Sequence, residues 1–236
     1  MNMPLNTSAN ISDPILQARY NMIEQQIRPW NVLDTDVLDL LSVVRREEFV
    51  PPAYRSMAFM DMEIPLNASN ELAQRLGQCM LAPRVEARLL QDLQVKPTDR
   101  VLEIGAGSGY MAALLAHRAA QVLALEIEPD LVEFARENLR SAGVLNAEVR
   151  QADGAQGAAA QGPFDVIVLS GSVSEVPQAL LSQLSEGGRL AAIVGQEPMM
   201  RATIVRRTGD RFETTQPWDT IAPRLLHFPE PSRFTF

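Results

Sequence analysis

The sequence predicts an α/β protein on a doubly wound, mostly parallel seven-stranded sheet, with helices leading into it and an antiparallel hairpin closing it. Three observations carry this. Asp99-Arg-Val-Leu-Glu-Ile-Gly-Ala-Gly-Ser-Gly-Tyr110 is a short apolar strand that empties into glycines and opens a helical run, Tyr110 to Ala116. From there strand-like apolar runs alternate with amphipathic helical ones, as parallel strands joined by crossover helices require. Near the end, Arg201–Val205 and Phe212–Thr215 follow one another with no helix between them, which predicts a hairpin turning at Gly209-Asp210.

Residues 1–12 read as a polar tail without periodicity. Ser12-Asp13-Pro14 combines a capping side chain with a proline in the first turn. The helix it starts runs through Ile15, Tyr20, Met22, Ile23 and Ile27 and stops before Pro29. A second helix from Asp34 or Thr35 carries Val37, Leu38, Leu40, Leu41 and Val44 and ends at Arg45-Arg46, cations suited to a helix C-terminus. The methionine-rich stretch Tyr54–Pro65 is irregular, with Met57, Met60 and Met62 assigned to packing. Asn67–Leu76 predicts a short capped helix, Gly77–Pro83 a loop, and Arg84–Leu93 a helix with Val85, Leu89, Leu90 and Leu93 on one face.

The core then reads as strand 101–104, helix 110–118, strand 121–126, helix 129–141 and strands 147–152 and 164–169. Helix Val176–Leu184, a turn at Glu186-Gly-Gly188 and strand Arg189–Val194 follow. Ile221–Phe236, rich in proline and aromatics, predicts an extended segment on the surface. The chain thus divides into a tail (1–12), a helical region with the loop before the core (13–83), and the core with its C-terminal extension (84–236).

At 236 residues the chain supports one sizeable α/β domain with an appendage. Its net charge of -8, with no Lys/Arg block, disfavours nucleic acid as a partner. No apolar run reaches the length of a membrane span, and the first residues lack a signal pattern. Cys79 is the single cysteine, so no intrachain disulfide forms, which fits a reducing cytoplasm. The two histidines, His117 and His227, lie far apart, so neither a metal-ligand cluster nor a histidine-based triad is readable.

The chemistry gathers at strand ends. Gly105-x-Gly107-x-Gly109 is followed by Tyr110, where a dinucleotide fingerprint needs glycine. Glu103 would repel a pyrophosphate and attract an ammonium or sulfonium, which points to S-adenosyl-L-methionine rather than NAD. Taken alone, the glycines also allow a turn with no ligand or a degenerate dinucleotide site. The next strand narrows this by ending in Glu126, about 20 residues on, where a carboxylate can accept ribose hydroxyls. The third ends in Asp153-Gly154, suitably placed for an adenine edge. The candidate cofactor residues are Glu103, Gly105, Ala106, Gly107, Ser108, Gly109, Tyr110, Glu126, Ile127, Asp153 and Gly154.

From about Met22 onward these residues resemble the protein-L-isoaspartate O-methyltransferase family. Met22-Ile-Glu-Gln-Gln-Ile-Arg-Pro29 is similar to its N-terminal helix, Phe49-Val-Pro51 to its joining segment, and Val101–Tyr110 to its cofactor loop. Asp153-Gly154, Phe164-Asp-Val-Ile-Val168, Glu175-Val-Pro177 and Gly187-Gly-Arg-Leu190 follow in matching order. The resemblance implies a Rossmann-like, S-adenosyl-L-methionine-dependent carboxyl methyltransferase acting on a protein or peptide with an exposed carboxylate. The Pro-Pro-aromatic run of base-amino methyltransferases is absent, which argues against DNA methylation.

The departure from the family falls on the acceptor side. A Thr-Ile-Ser-Gln-Pro type run follows Gly-Gln in the family, and its serine is taken to hold the acceptor carboxylate. Here Gly77-Gln78 and Pro83 match, but Cys79-Met-Leu-Ala82 lies between, with Leu81 at the serine position and Ala82 at the glutamine position. Neither side chain can donate a hydrogen bond. Gln78, Cys79, Leu81, Ser170 and Ser172 are therefore the acceptor-side candidates, with Cys79 read as a small apolar residue rather than a nucleophile. Two function classes follow: repair methylation of isoaspartyl sites, or a cofactor-binding relative whose acceptor specificity is changed or lost.

Overall fold

The computed structural model describes residues 13–67 and 69–230, so the predicted tail 1–12 and the last residues, 231–236, lie outside the described part. Helix α1 (Pro14–Asn21) is capped by the Asp13 carboxylate, which accepts from the Ile15 N–H at 2.8 Å. The helix does not stop before Pro29. It widens into a π-helical stretch, Met22–Ile27, and then a 3₁₀ turn, Arg28–Trp30. Pro29 is accommodated because a first-turn position needs no N–H donor. Helix α2 (Thr35–Val43) is capped by Asp34 and ends before Arg45-Arg46, since Val44 turns to extended backbone. Arg46 goes inward instead of capping the helix, as described below.

Residues Ile64–Pro65 (β1) pair antiparallel with Cys79–Met80 (β2), so the segment 77–82, expected as loop, contains a strand. Between them lies α3 (Asn70–Leu76), capped by Ser69 and closed by Gly77. Met57 packs against the core, but Met60 and Met62 are exposed, so the packing assignment fails for both. Their stretch is 3₁₀ turns and bends on the surface, not an amphipathic helix.

Helix α4 (Pro83–Leu93) leads into β3 (Arg100–Ile104), α5 (Tyr110–Ala116), β4 (Gln121–Glu126), α6 (Pro129–Ser141) and β5 (Ala147–Gln151). Then come β6 (Phe164–Val173), α7 (Gln178–Leu181), β7 (Leu184–Gln196), β8 (Met199–Thr208) and β9 (Arg211–Asp219). The seven-stranded sheet has the order β5-β4-β3-β6-β7-β8-β9, parallel through β7 and antiparallel beyond it. Helix α7 is shorter than predicted because Leu184 is already sheet, opposite Phe164, and Gln183 bonds the Phe164 N–H. Strand β6 is longer than predicted because the Ser172 N–H and carbonyl pair with Pro223 and Leu225 of the tail.

Successive residues of β3 face opposite sides: Val101 joins the larger apolar cluster with α2, α4, α5 and α6, while Leu102 and Ile104 join the smaller one with α7 and Phe228. The sheet order reverses around β3, whose neighbours are β4 and β6, and the crevice at such a switch point is where α/β folds hold ligands. Among the described residues, no helix is long and apolar enough to cross a membrane.

Candidate active site

The glycine turn after β3 sets the site. Gly105 has φ +86°, a conformation that calls for glycine, and a Cβ there would lie 2.8 Å from a Leu225 methyl, so a larger residue would also displace that side chain. Glu126, at the end of β4, holds the turn. One carboxylate oxygen accepts the Gly107 N–H at 2.8 Å, and the other accepts Ile127 at 2.8 Å and Glu128 at 3.1 Å. Asp153 caps the turn after β5 through the Ala155 N–H (2.9 Å), and its other oxygen meets His227 Nδ1 of the tail at 2.7 Å.

These strand ends surround a cleft of about 70 Å³. Of the sequence-predicted residues, Gly105, Gly107, Glu126, Ile127, Asp153, Gly154, Gln78, Cys79 and Ser170 line it together. Behind it an inner cavity of about 20 Å³ is lined by Glu103, Ala106, Ser108 and Leu81, and shares Gly105, Gly107, Cys79 and Ser170 with the cleft. Three candidates lie elsewhere. Gly109 is the N-terminal cap of α5. Tyr110 is buried in the core, edge-on to Phe49 at 5.4 Å and beneath the Arg46 guanidinium at 5.2 Å, so it packs the helix rather than lining the cleft. Ser172 is fully buried, its hydroxyl donating to the Ala222 carbonyl at 2.8 Å; it anchors the tail.

Glu103 has no solvent exposure; the Ser170 hydroxyl donates to one of its oxygens at 2.6 Å, and the second has no partner among the described residues. Burial pushes its carboxyl up to about 8, against the Ser170 hydrogen bond, and Glu86 and Glu126 push the same way as burial. A buried carboxyl in this state is neutralised by its own proton or by a cation brought beside it. Cys79 is half-buried, and burial with the nearby Glu63 pushes its thiol up to about 11, which makes it a poor nucleophile.

The acceptor loop is pinned from below. Fully buried Arg46 pairs with Glu86 at 2.6 Å and donates to the Leu81 carbonyl at 2.9 Å. Leu81 is 3% exposed and Ala82 6%. Gln78 accepts from Asn67 through its side-chain oxygen at 3.1 Å, and its amide nitrogen has no partner among the described residues.

Arg224, Leu225, Leu226 and Phe228 wall the cleft from the tail, where the composition predicts only an extended surface segment. A Cβ on Gly77 would lie 2.6 Å from the Arg224 carbonyl oxygen, so acceptor loop and tail touch backbone to backbone. Only the prolines and aromatics of the tail hinted at packing.

The family model described as protein-L-isoaspartate(D-aspartate) O-methyltransferase (PCMT) matches residues 17–221. The chain belongs to that family. It is 41% identical over 204 residues to the protein-L-isoaspartate O-methyltransferase of Methanoculleus marisnigri, covering 86% of this chain and 89% of that protein. To the protein of the same name from Koribacter versatilis it is 38% identical over 198 residues, 84% and 86% of the two chains. A solved structure described as a family member from Plasmodium falciparum, in complex with S-adenosyl-L-homocysteine, has a TM-score of 0.72 at 21% identity over 88% of this chain and 97% of that one; it supports the fold. As a family member the chain is an O-methyltransferase with S-adenosyl-L-methionine as its cofactor. The site residues fit that group. The glycine turn offers close backbone approach, Glu126 has carboxylate oxygens at the cleft that could accept ribose hydroxyls, and the orphaned Glu103 oxygen could take a positive charge.

Proposed function

We propose that this protein methylates the free carboxylate of isoaspartyl residues in proteins, slowly, with the Gln78 amide as the donor that orients the acceptor. The observation that carries this reading is the shared cleft: Gln78 and Cys79 of the acceptor loop line the same space as Gly105, Glu126 and Asp153. The bound cofactor supplies a methyl group on a sulfonium, whose transfer to an ionised carboxylate oxygen needs no general base. The protein's part is orientation and exclusion of water.

Its residues divide that work. Glu126 and Asp153 hold the nucleoside side, and Glu103, kept in place by Ser170, faces the positive charge. Ser170 is thereby spent on Glu103, Ser172 on the tail, and Leu81 has no donor, which leaves the Gln78 amide nitrogen for the acceptor. One neutral donor where the family pattern carries a serine as well accounts for a slow reaction. A cytoplasmic location belongs to the same reading, because a chain with one cysteine suits a reducing compartment.

A second reading is favoured by the burial of Leu81 and Ala82: an acceptor of different chemistry, with cofactor binding intact. Labelled methyl transfer to an isoaspartyl peptide, beside its aspartyl twin, separates the two. The expected result is slow, isoaspartyl-selective transfer that Gln78→Ala lowers about tenfold or more, the size of a lost hydrogen bond to a charged group. Leu81→Ser should raise it about tenfold by restoring a donor. Ala82→Gln is the poorer companion, since a glutamine at that buried position would overpack the start of α4. No transfer from either protein, with cofactor still bound, selects the second reading.

A further inference from the structure

A second cavity, larger than the cleft, lies apart from it. It is a groove of about 390 Å³ over the first turns of α4 and the ends of β8 and β9, and it shares no lining residue with the cleft. That volume lies within the usual range for ligand sites.

Two tryptophans form its walls, each covered by a guanidinium: Arg84 stands 4.6 Å over the Trp30 ring and Arg88 4.6 Å over Trp218. Such stacks hold arginines in place while leaving their edges free to donate. Met199 (81% exposed) and Ile221 (52%) add an apolar rim.

The charges are unevenly matched. Arg84 pairs with Asp61 at 2.5 Å, and Arg201 pairs with Asp219 at 3.0 Å. Arg88 has no ion-pair partner among the described residues, and its buried Nε has no hydrogen-bond acceptor. Asp92, one turn along α4, is engaged with the Trp218 indole N–H at 2.7 Å. Burial lowers the Arg88 pKa from its ordinary value, with Asp92 opposing. On a chain of net charge -8, an unpaired guanidinium between apolar walls is a specific attraction for a carboxylate.

The groove adjoins the acceptor loop. Helix α4 starts at Pro83, directly after Ala82, and Arg84 is its second residue. A small anion would leave most of the groove empty and both indoles unused, whereas an extended polypeptide beside the acceptor loop has side chains for Arg88 and for both indoles.

We propose that this groove holds the polypeptide flank of the methyl-accepting protein, with an acidic side chain of that flank on Arg88 and an apolar one against Trp218 and Met199. The proposal rests on the reading of the protein as a protein carboxyl methyltransferase, and its test is independent of methyl transfer. The chain has two tryptophans and both line the groove, so intrinsic emission reports its occupancy. The probes are a short isoaspartyl peptide with glutamates on both sides of the acceptor residue and its glutamine twin, titrated without cofactor.

The glutamate peptide should change the emission at about tenfold lower concentration than its twin, the size of a hydrogen bond to a charged group. Added salt should shrink that advantage, and Arg88→Gln should erase it. In methyl transfer the same substitution should raise KM for the glutamate peptide and leave kcat in place. Equal titration of the two peptides overturns the proposal. So does unchanged emission while the isoaspartyl peptide is methylated, in which case the activity stands and the groove is idle. Emission that follows the glutamate peptide with no methyl transferred keeps the groove and removes the isoaspartyl acceptor.

Discussion

Glu126 and Glu103 end neighbouring strands and flank one glycine turn, yet they live in different worlds. Glu126 accepts three backbone N–H groups, from Gly107, Ile127 and Glu128, and opens onto the cleft. Glu103 is sealed in the inner cavity with a single hydroxyl for company. The first carboxylate builds the turn whether or not anything is bound. The second keeps a proton until a positive charge displaces it, so on the reading proposed above the site is rigid where it would hold the nucleoside and responsive where it would meet the sulfonium. Neighbouring strands therefore supply a scaffold residue and a ligand-dependent one from the same residue type, and hydrogen bonding decides which is which.

The strongest way to break this contrast is Glu126→Ala. It strands three backbone donors and removes a ribose acceptor. Cofactor affinity should fall by about 1.5–3 kcal/mol, and the fold should lose about 2 kcal/mol or more. Calorimetric titration and thermal unfolding measure the two; an unchanged dissociation constant would mean the ribose is held elsewhere.

Glu103→Gln sharpens the contrast through pH. A carboxyl raised to about 8 in the folded protein keeps a proton that the unfolded chain releases in the ordinary carboxylate range. Stability from this group is therefore full at low pH and is lost as pH rises through that window to about 8. A cationic ligand draws the proton off, so affinity for S-adenosyl-L-methionine should climb with pH below about 8, by at most about tenfold per unit. The glutamine variant should flatten both curves, leaving in the stability curve a residue from Glu86, which burial pushes up to about 7 against its Arg46 partner. Unaltered pH slopes in the variant would remove Glu103 from the cation's surroundings.

The smallest effect is expected from His227→Ala. Its pair with Asp153 is open to solvent, 58% and 44% exposed, and such pairs contribute about 0–1 kcal/mol. Cofactor affinity should barely move. A tenfold loss would make the tail, not the strand end, the keeper of the nucleoside side.

The strand-end side of the cleft was legible because its geometry is local. A glycine turn, an acid at the end of the next strand and an Asp-Gly after the third are each written within a few residues, and Gly105, Glu126, Asp153 and Gly154 all reach the cleft. Tyr110 was misplaced because its position in the motif says nothing of Phe49 and Arg46, which come from distant turns and enclose it. The acceptor half was harder because it depends on partners far along the chain. β1 meets β2 across α3, Arg46 reaches Leu81, and Leu225 covers Gly105. Nor could Ser170 and Ser172 be told apart by sequence, though one bonds Glu103 and the other bonds the tail.

The backbone contact between Gly77 and Arg224 has a consequence for how the protein is made. Synthesis proceeds from the N-terminus at about 5–20 residues per second, and folding can begin on what has emerged. The acceptor loop and glycine turn are exposed early, but the wall supplied by Arg224 to Phe228 arrives only after every strand of the sheet has been translated. A chain ending at β9 would have every strand of the sheet but would leave the cleft without the wall that Arg224 to Phe228 supply. Competence to shield a reaction from water therefore follows the sheet in the order of synthesis.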